Sequence, residues 1–262
     1  MADTRDLAVV TGASSGIGLE LARQFASNGF DLILAADRDL GEAEQAVRAD
    51  GGTVVQSLQA DLSTRKGVDE LYQAIKGAGR PVAALAANAG IGLGHAFLDQ
   101  DLDDAIKVVD TNIVGSLALI HAVGQDMRSA GTGRILITSS IASMIPGTFQ
   151  AVYNGSKAFL QSFSFALREE LKDSGVTVTA LLPGATETDF FHRADLDDTK
   201  VGSSKKDDAE MVAKTGFEAL MKGEGDAVAG VKNKLQAAAT RVMSDSQLAG
   251  MHRGMAEPGS AN

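Results

Sequence analysis

The chain has 262 residues, of which 44% are hydrophobic and 22% charged, with no cysteine and a formal net charge of -10. That composition belongs to a folded globular chain rather than a disordered one, and the length suits a single α/β domain around one large core. The acid excess argues against partners read through phosphates, nucleic acid and anionic membrane alike, and the lack of cysteine excludes disulfides, thiolate metal sites and thiol catalysis. Residues 1–10 hold one apolar run too short for a secretory segment, and no later stretch offers 18 uncharged apolar residues for a membrane span, so a cytoplasmic location is expected.

Taken in chain order, the apolar run 7–10 predicts a first strand, and Thr11-Gly12-Ala13-Ser14-Ser15-Gly16-Ile17-Gly18 leads from it into a helix over 17–27 that stops at Asn28 and Gly29. Glycines in such a turn let the backbone approach a pyrophosphate, and the free N–H groups at the helix start bind it. A second strand over 32–35 ends near Asp37 and Arg38. A third over 54–58 is followed by Asp61-Leu62, and a fourth over 82–87 by Asn88-Ala89-Gly90. Asp101 to Asp104 marks a helix start favoured by the dipole, and Asn112 follows within that helical stretch. A fifth strand over 135–138 runs into Ser139 and Ser140, and a helix over 152–172 carries Tyr153 and Lys157 before stopping near Gly175. A sixth strand over 176–182 leads to Pro183-Gly184, Thr186 and Thr188. Beyond it come a polar stretch over 190–208, a helix over 209–221 starting at Asp207-Asp208, and a short run at 227–229.

Short apolar runs of this kind fit strands buried on both faces, and their alternation with helices predicts a doubly wound, Rossmann-like parallel sheet of about seven strands with helices on both faces. The whole chain, 1–262, reads as one dinucleotide-binding, Rossmann-fold domain, with about 189–225 as substrate loop and helix and 233–262 as a C-terminal tail. No internal repeat is visible. Ligands in such a sheet bind beyond the carboxyl ends of the strands, which is where these motifs fall.

With three residues between Gly12 and Gly16, the glycine loop resembles that of the short-chain dehydrogenase/reductase family. Asp61-Leu62 is similar to the family's adenine-contacting pair, Asn88-Ala89-Gly90 to its cofactor-lining turn, and Pro183-Gly184 with Thr186 and Thr188 to the segment that holds the nicotinamide carboxamide. The resemblance covers roughly residues 5–188. It implies that Gly12, Ser14, Ser15, Gly16, Ile17 and Gly18 cradle the cofactor phosphates. Asp37 lies one place beyond the usual NAD-selecting acid, where many NADP-using relatives carry Arg, and Ala36 takes the usual place. A carboxylate there can bond the ribose hydroxyls and repel a 2′-phosphate, whereas Arg38 could welcome it, so NAD is favoured over NADP.

Tyr153 and Lys157 are four apart on one helix and share a face. A free tyrosine titrates near pH 10, and an adjacent ammonium together with an oxidised nicotinamide would favour phenolate, as removal of a hydroxyl proton requires. Ser140 could hold the substrate oxygen. The resemblance adds Asn112 as the anchor of a water relay through Lys157, and gives Lys157 and Tyr153 contact with the nicotinamide ribose. His95 and His121 stand alone, so no metal site is expected, and Ser139 lacks the paired His and Asp of an acyl-transfer nucleophile. Ile91, Met144, Ile145, Phe149, Ala185, Phe190 and Phe191 are expected to line the substrate pocket beside Gln150 and His95. The expected reaction is hydride transfer between the nicotinamide and a medium-sized, fairly apolar ketone or secondary alcohol. A polyol or sugar dehydrogenase is the alternative, and a non-catalytic NAD(P)-binding protein a further one. The resemblance also implies a homo-oligomer, tetramer or dimer, formed through helices near 102–129 and 152–172.

Overall fold

The computed structural model describes residues 5–261. Seven parallel strands form one sheet in the order β3-β2-β1-β4-β5-β6-β7, with β1 at Leu7–Thr11, β2 at Asp31–Ala36, β3 at Thr53–Gln59, β4 at Val82–Ala87, β5 at Gly133–Thr138, β6 at Val176–Leu182 and β7 at Asp226–Val228. Between them run α1 (Gly16–Ser27), α2 (Gly41–Ala49), α3 (Arg65–Gly77), α4 (Leu102–Val109), α5 (Ser116–Ala130), α6 (Ala151–Glu170), α7 (Phe190–Arg193), α8 (Lys200–Ser203) and α9 (Ala209–Lys222). Two more, α10 (Val231–Thr240) and α11 (Asp245–Ala256), follow β7. The strand order reverses between β1 and β4, which opens a crevice at their carboxyl ends.

The period-two alternation of a strand splits the core into two layers. Ala8 and Val10 of β1 and Leu32 and Leu34 of β2 pack with Leu21 and Phe25 of α1 and Phe217 of α9. Leu7, Val9, Ile33 and Ala35 face the other way, toward Leu71 of α3, Val123 of α5 and Leu160 of α6. Phe25 is wholly buried and meets Phe30 and Phe217 edge-on, each at 5.1 Å between ring centroids.

Burial on both faces holds for the inner strands β2, β1, β4, β5 and β6 and fails at β3. It is an edge strand, with Val55 40% exposed, because only β2 pairs with it. The stretch from Leu102 to Ala130 is long and apolar enough by composition to cross a membrane, the one such helix among the described residues. Its apolar side chains Leu119, Ile120, Val123 and Met127 lie in the core, however, against the sheet. Mid-course it widens into a π turn at Asp110–Gly115, brought close to the chain after β3: a Cβ on Gly115 would run into the Leu62 carbonyl oxygen. Nor does the chain after Asn233 trail away as a tail. It forms α10 and α11, the latter opened by a capping box in which Ser244 and Gln247 bond reciprocally.

Replacing Phe25 by Ala removes a fully packed ring and is expected to cost about 3–5 kcal/mol, read as a lowered denaturation midpoint in urea. A loss below about 1 kcal/mol would contradict the packing described.

Candidate active site

The sheet's central strand ends are tied together by Asn88. Its backbone N–H donates to the Thr11 hydroxyl at 3.0 Å, its side-chain amide donates to the Thr11 carbonyl at 3.1 Å, and its Oδ1 accepts from the Thr138 hydroxyl at 3.0 Å. One residue thus joins β1, β4 and β5 at the crevice. Beside it the turn after β1 adopts positive φ at Gly12 and Gly16, and a Cβ on Gly18 would be driven into the Gly12 carbonyl oxygen. The result is a backbone-walled cradle at the start of a twelve-residue helix, which fits a pyrophosphate.

One continuous cavity of about 770 Å³ runs along this edge. Gly12, Ser14, Ser15, Gly16, Ile17 and Gly18 line one end with Asp37, Asp61 and Leu62. Asn88, Ala89 and Gly90 line it too, as do Ser140, Tyr153, Lys157, Pro183, Gly184, Thr186 and Thr188. Of the residues expected at the site, Arg38 and Asn112 do not reach the cavity wall. Arg38 instead turns to Asp37 and Asp189, with N···O distances of 3.5 Å to each, while Arg193 reaches across from α7 to the Asp37 carboxylate at 3.0 Å. Asp61 is held below its usual pKa, chiefly by the Ser63 hydroxyl.

Asn112 lies in the π turn, fully buried. Its Oδ1 accepts from Ile91 N–H at 2.8 Å, and its amide donates to the Ile91 carbonyl and the Ser156 hydroxyl, both at 2.9 Å. The side chain is thereby committed to the loop after β4 and to α6. A Cβ on Gly90 would lie 3.2 Å from both Asn112 Oδ1 and Lys157 Nζ, so a larger residue would press on both side chains.

Lys157 is 4% exposed, donates from Nζ to the Thr138 carbonyl at 2.9 Å, and lies 5.7 Å from the Tyr153 ring centroid. The Ser139 hydroxyl donates to the Lys157 carbonyl at 2.7 Å, which makes it a brace for α6. Burial lowers the Lys157 pKa to about 8 and raises that of Tyr153 to about 12, the nearby Ser140 hydroxyl pulling the phenol only slightly back. Without the cofactor's charge, burial is the larger influence on the phenol. Tyr153 keeps some surface in the cavity, with Phe190 tilted over it at 5.1 Å. Ser140 Oγ accepts from Ala142 N–H at 3.1 Å and donates to the Pro183 carbonyl at 3.3 Å, a long bond that a substrate oxygen could replace.

The expected pocket needs correction at three places. Ile91, Ile145, Ala185, Phe190, Phe191 and Gln150 line the cavity, but Met144, Phe149 and His95 do not. Met144 accepts from the Thr240 hydroxyl, Phe149 lies beneath the Arg253 guanidinium at 5.3 Å, and His95 pairs with Asp195 at 2.7 Å. In their place come Lys200, Ser204 and Lys205 around α8, within the expected substrate stretch, and residues from the expected tail region and just before it: Lys232, Asn233 and Gln236 of α10, and His252 and Met255 of α11. His252 is buried, which lowers its pKa, and its Nδ1 bonds the Thr148 carbonyl at 2.9 Å. The Ser244-to-Gln247 spacing is the one local signal for these helices. Among the described residues no cluster of side chains could hold a metal ion.

Comparison with known proteins places this geometry. The family described as short chain dehydrogenase matches residues 6–199. Sulfoacetaldehyde reductase 2 of Chromohalobacter salexigens is 36% identical over 187 residues, 71% of this chain and 74% of the relative. Serine 3-dehydrogenase of Agrobacterium fabrum is 34% identical over 183 residues, 70% of this chain and 72% of the relative. A solved short-chain dehydrogenase from Sphingobium yanoikuyae in complex with NADPH superposes with a TM-score of 0.79 at 29% identity, covering 92% of this chain and 96% of that one.

Two tyrosines and no tryptophan make phenolate absorption readable in this chain. Burial disfavours the anion and the pKa values of Tyr72 and Tyr153 are both raised, so neither should ionise below about pH 10 without cofactor. With saturating oxidised nicotinamide one phenolate should form at lower pH, and not in Tyr153→Phe. A phenolate below that pH in the cofactor-free protein would contradict the geometry.

Proposed function

This chain belongs to the short-chain dehydrogenase/reductase family and is a nicotinamide-dependent oxidoreductase acting on alcohol and carbonyl groups, and we propose that Tyr153 is its acid and base, with Ser140, Lys157 and Asn112 in supporting roles. The observation that carries this assignment is the buried Lys157 ammonium beside the Tyr153 ring at the cavity wall. When bound, the cofactor supplies or accepts the hydride. The Ser140 hydroxyl holds the substrate oxygen, and in reduction the Tyr153 phenol gives that oxygen its proton as the carbon is reduced. In oxidation the phenolate takes the proton back. A phenol whose pKa stands near 12 is protonated at neutral pH and ready to donate, whereas oxidation needs the positive charge of the oxidised nicotinamide to bring phenolate within reach. Lys157 stabilises that phenolate and is placed to hold ribose hydroxyls, and Asn112 acts by positioning Ile91 and α6.

We assign NAD as the preferred cofactor, with Asp37 at the cavity wall as the ribose ligand and Arg38, held between Asp37 and Asp189, off that wall. Gly12 to Gly18 cradle the pyrophosphate, Asp61 and Leu62 flank the adenine, and Thr186 and Thr188 hold the carboxamide. Residues 189–225 with α10 and α11 form the substrate side. Around the reacting carbon the wall is apolar, which suits a ketone or secondary alcohol better than a polyol. We place the enzyme in the cytoplasm and, by the family resemblance, as a homo-oligomer, for which Leu102, Ile106, Phe159 and Phe165 offer exposed apolar surface on α4 and α6.

Replacing Tyr153 by Phe should lower kcat roughly a thousandfold while leaving the Kd for NADH within about threefold. Retention of more than about a tenth of the rate would sink the assignment. Titration with each reduced cofactor should give tighter binding of NADH than NADPH, with the difference lost in Asp37→Ala; tighter NADPH would mean that Arg193 and Arg38 outweigh the carboxylate.

A further inference from the structure

The substrate end of the cavity carries charge that hydride transfer does not use. Lys200, Lys205 and Lys232 all line the cavity that contains Tyr153, and all three are exposed to it and to solvent. Among the described residues none of them has a carboxylate within salt-bridge distance, whereas Arg23, Arg38, Arg80 and Arg193 each do. Lys206 next door is differently engaged, its Nζ bonding the Gly202 carbonyl at 2.6 Å and lying 5.0 Å over the Phe191 ring.

Two of these lysines are tethered to the wall beside the reacting centre. Lys205 stands two residues before Asp207, which pairs through its backbone with Ala185 and Glu187 at 2.8 Å each. Lys232 precedes Asn233, whose side chain packs against Gly184 and donates to the Ala229 carbonyl and the Asp207 carboxylate at 2.6 Å each. That strip, Pro183 to Glu187, is also where the Ser140 hydroxyl reaches. Four of the five carboxylates lining the cavity, Asp37, Asp61, Asp104 and Asp189, belong to the β2, β3, α4 and Arg38 end. Asp207 alone stands with the lysines, and one of its oxygens is taken by Asn233. Lys107 also lines the cavity without a carboxylate within salt-bridge distance, but Asp61 lies in its field, whereas Lys200, Lys205 and Lys232 have only Asp207 for company. In a chain of net charge -10, such unbalanced cations raise the local concentration of anions.

We propose that the substrate carries an anionic group, a carboxylate, sulfonate or phosphate, separated by a short apolar spacer from its carbonyl or carbinol carbon, and that Lys205 and Lys232, assisted by Lys200, hold that group. The inference rests on the oxidoreductase reading above. It extends that reading, because the apolar residues Ile145, Ala185 and Phe190 lie around the reacting carbon while the cations stand outside them. All three lysines lie beyond residue 199, where the family match ends.

The test is a panel of aldehydes and ketones in matched pairs, each as the free acid and as its neutral methyl ester or alcohol. Reduction should favour the charged member by about tenfold in kcat/KM, the effect of one charge-assisted hydrogen bond, and the preference should shrink with added salt. In the Lys205→Gln, Lys232→Gln double variant the ratio should fall toward one through KM, with the Kd for NADH unchanged. Equal or better turnover of the neutral members by the wild type overturns the inference and leaves hydride transfer standing. A variant with weakened NADH binding and an unaltered ratio also overturns it, since the lysines would then serve the cofactor phosphates. If no pair is turned over although NADH binds, both the inference and the reading beneath it fail.

Discussion

The structure depends on keeping one charged amine dry. Lys157 is almost fully buried at the carboxyl edge of the sheet, where desolvation alone would strip its proton near pH 8, and a single carbonyl, that of Thr138, accepts from it. A buried ammonium is costly unless paired. Here the neighbours are a phenol and space for a dinucleotide, so the cation is relieved most when Tyr153 becomes phenolate or when ribose oxygens arrive. The same desolvation pushes Tyr153 the opposite way, and the two groups can share charge only together. Their pairing is therefore conditional on what occupies the cavity, which is a useful property for an acid that must also serve as a base.

The rest of the local architecture holds this pair in place. Asn88 ties three strand ends, Ser139 braces the α6 backbone at Lys157, and Asn112 spends its amide on Ile91 and Ser156. The π turn that carries Asn112 costs regular helix geometry, and such insertions gather at functional sites. Its consequence here is that α5 and α6 meet the loop after β4 at a distance that admits Lys157 beside Gly90. On the far side, the 189–193 segment crosses to the β2 edge through exposed ion pairs of Arg38 and Arg193. Such pairs contribute little to stability but set how that end is dressed.

The sequence makes most of the cofactor side legible, because each motif lies within a few residues of a strand's carboxyl end and parallel topology brings those ends together. Gly12, Asp61, Asn88, Ser140 and Pro183 needed only the order of elements to become neighbours. Side-chain direction was less legible. Met144 and Phe149 sit between cavity-lining residues yet turn to Thr240 and Arg253; Met144 ends a short 3-10 turn and Phe149 has positive φ, conformations no periodicity encodes. The π turn is likewise invisible, since its residues read as ordinary helix. The largest omission was α10 and α11. Their packing is long-range, Val231, Leu235 and Val242 remain exposed, and the weak apolar stripe resembles a solvated tail. As a result, the cationic and polar half of the substrate cavity could not be read from local pattern, and an apolar pocket was the natural expectation.

The central claim is hydride transfer between a nicotinamide and a carbon that bears oxygen, and the transfer of isotope tests it most directly. The purified protein would be given NADH deuterated in turn on each face of C4, with a carbonyl compound that it reduces, and the product analysed by mass spectrometry. The account predicts that deuterium from one face only appears on the carbinol carbon, with a slowed rate for that face. Deuterium lost to water, or an alcohol formed without label from either face, would contradict it.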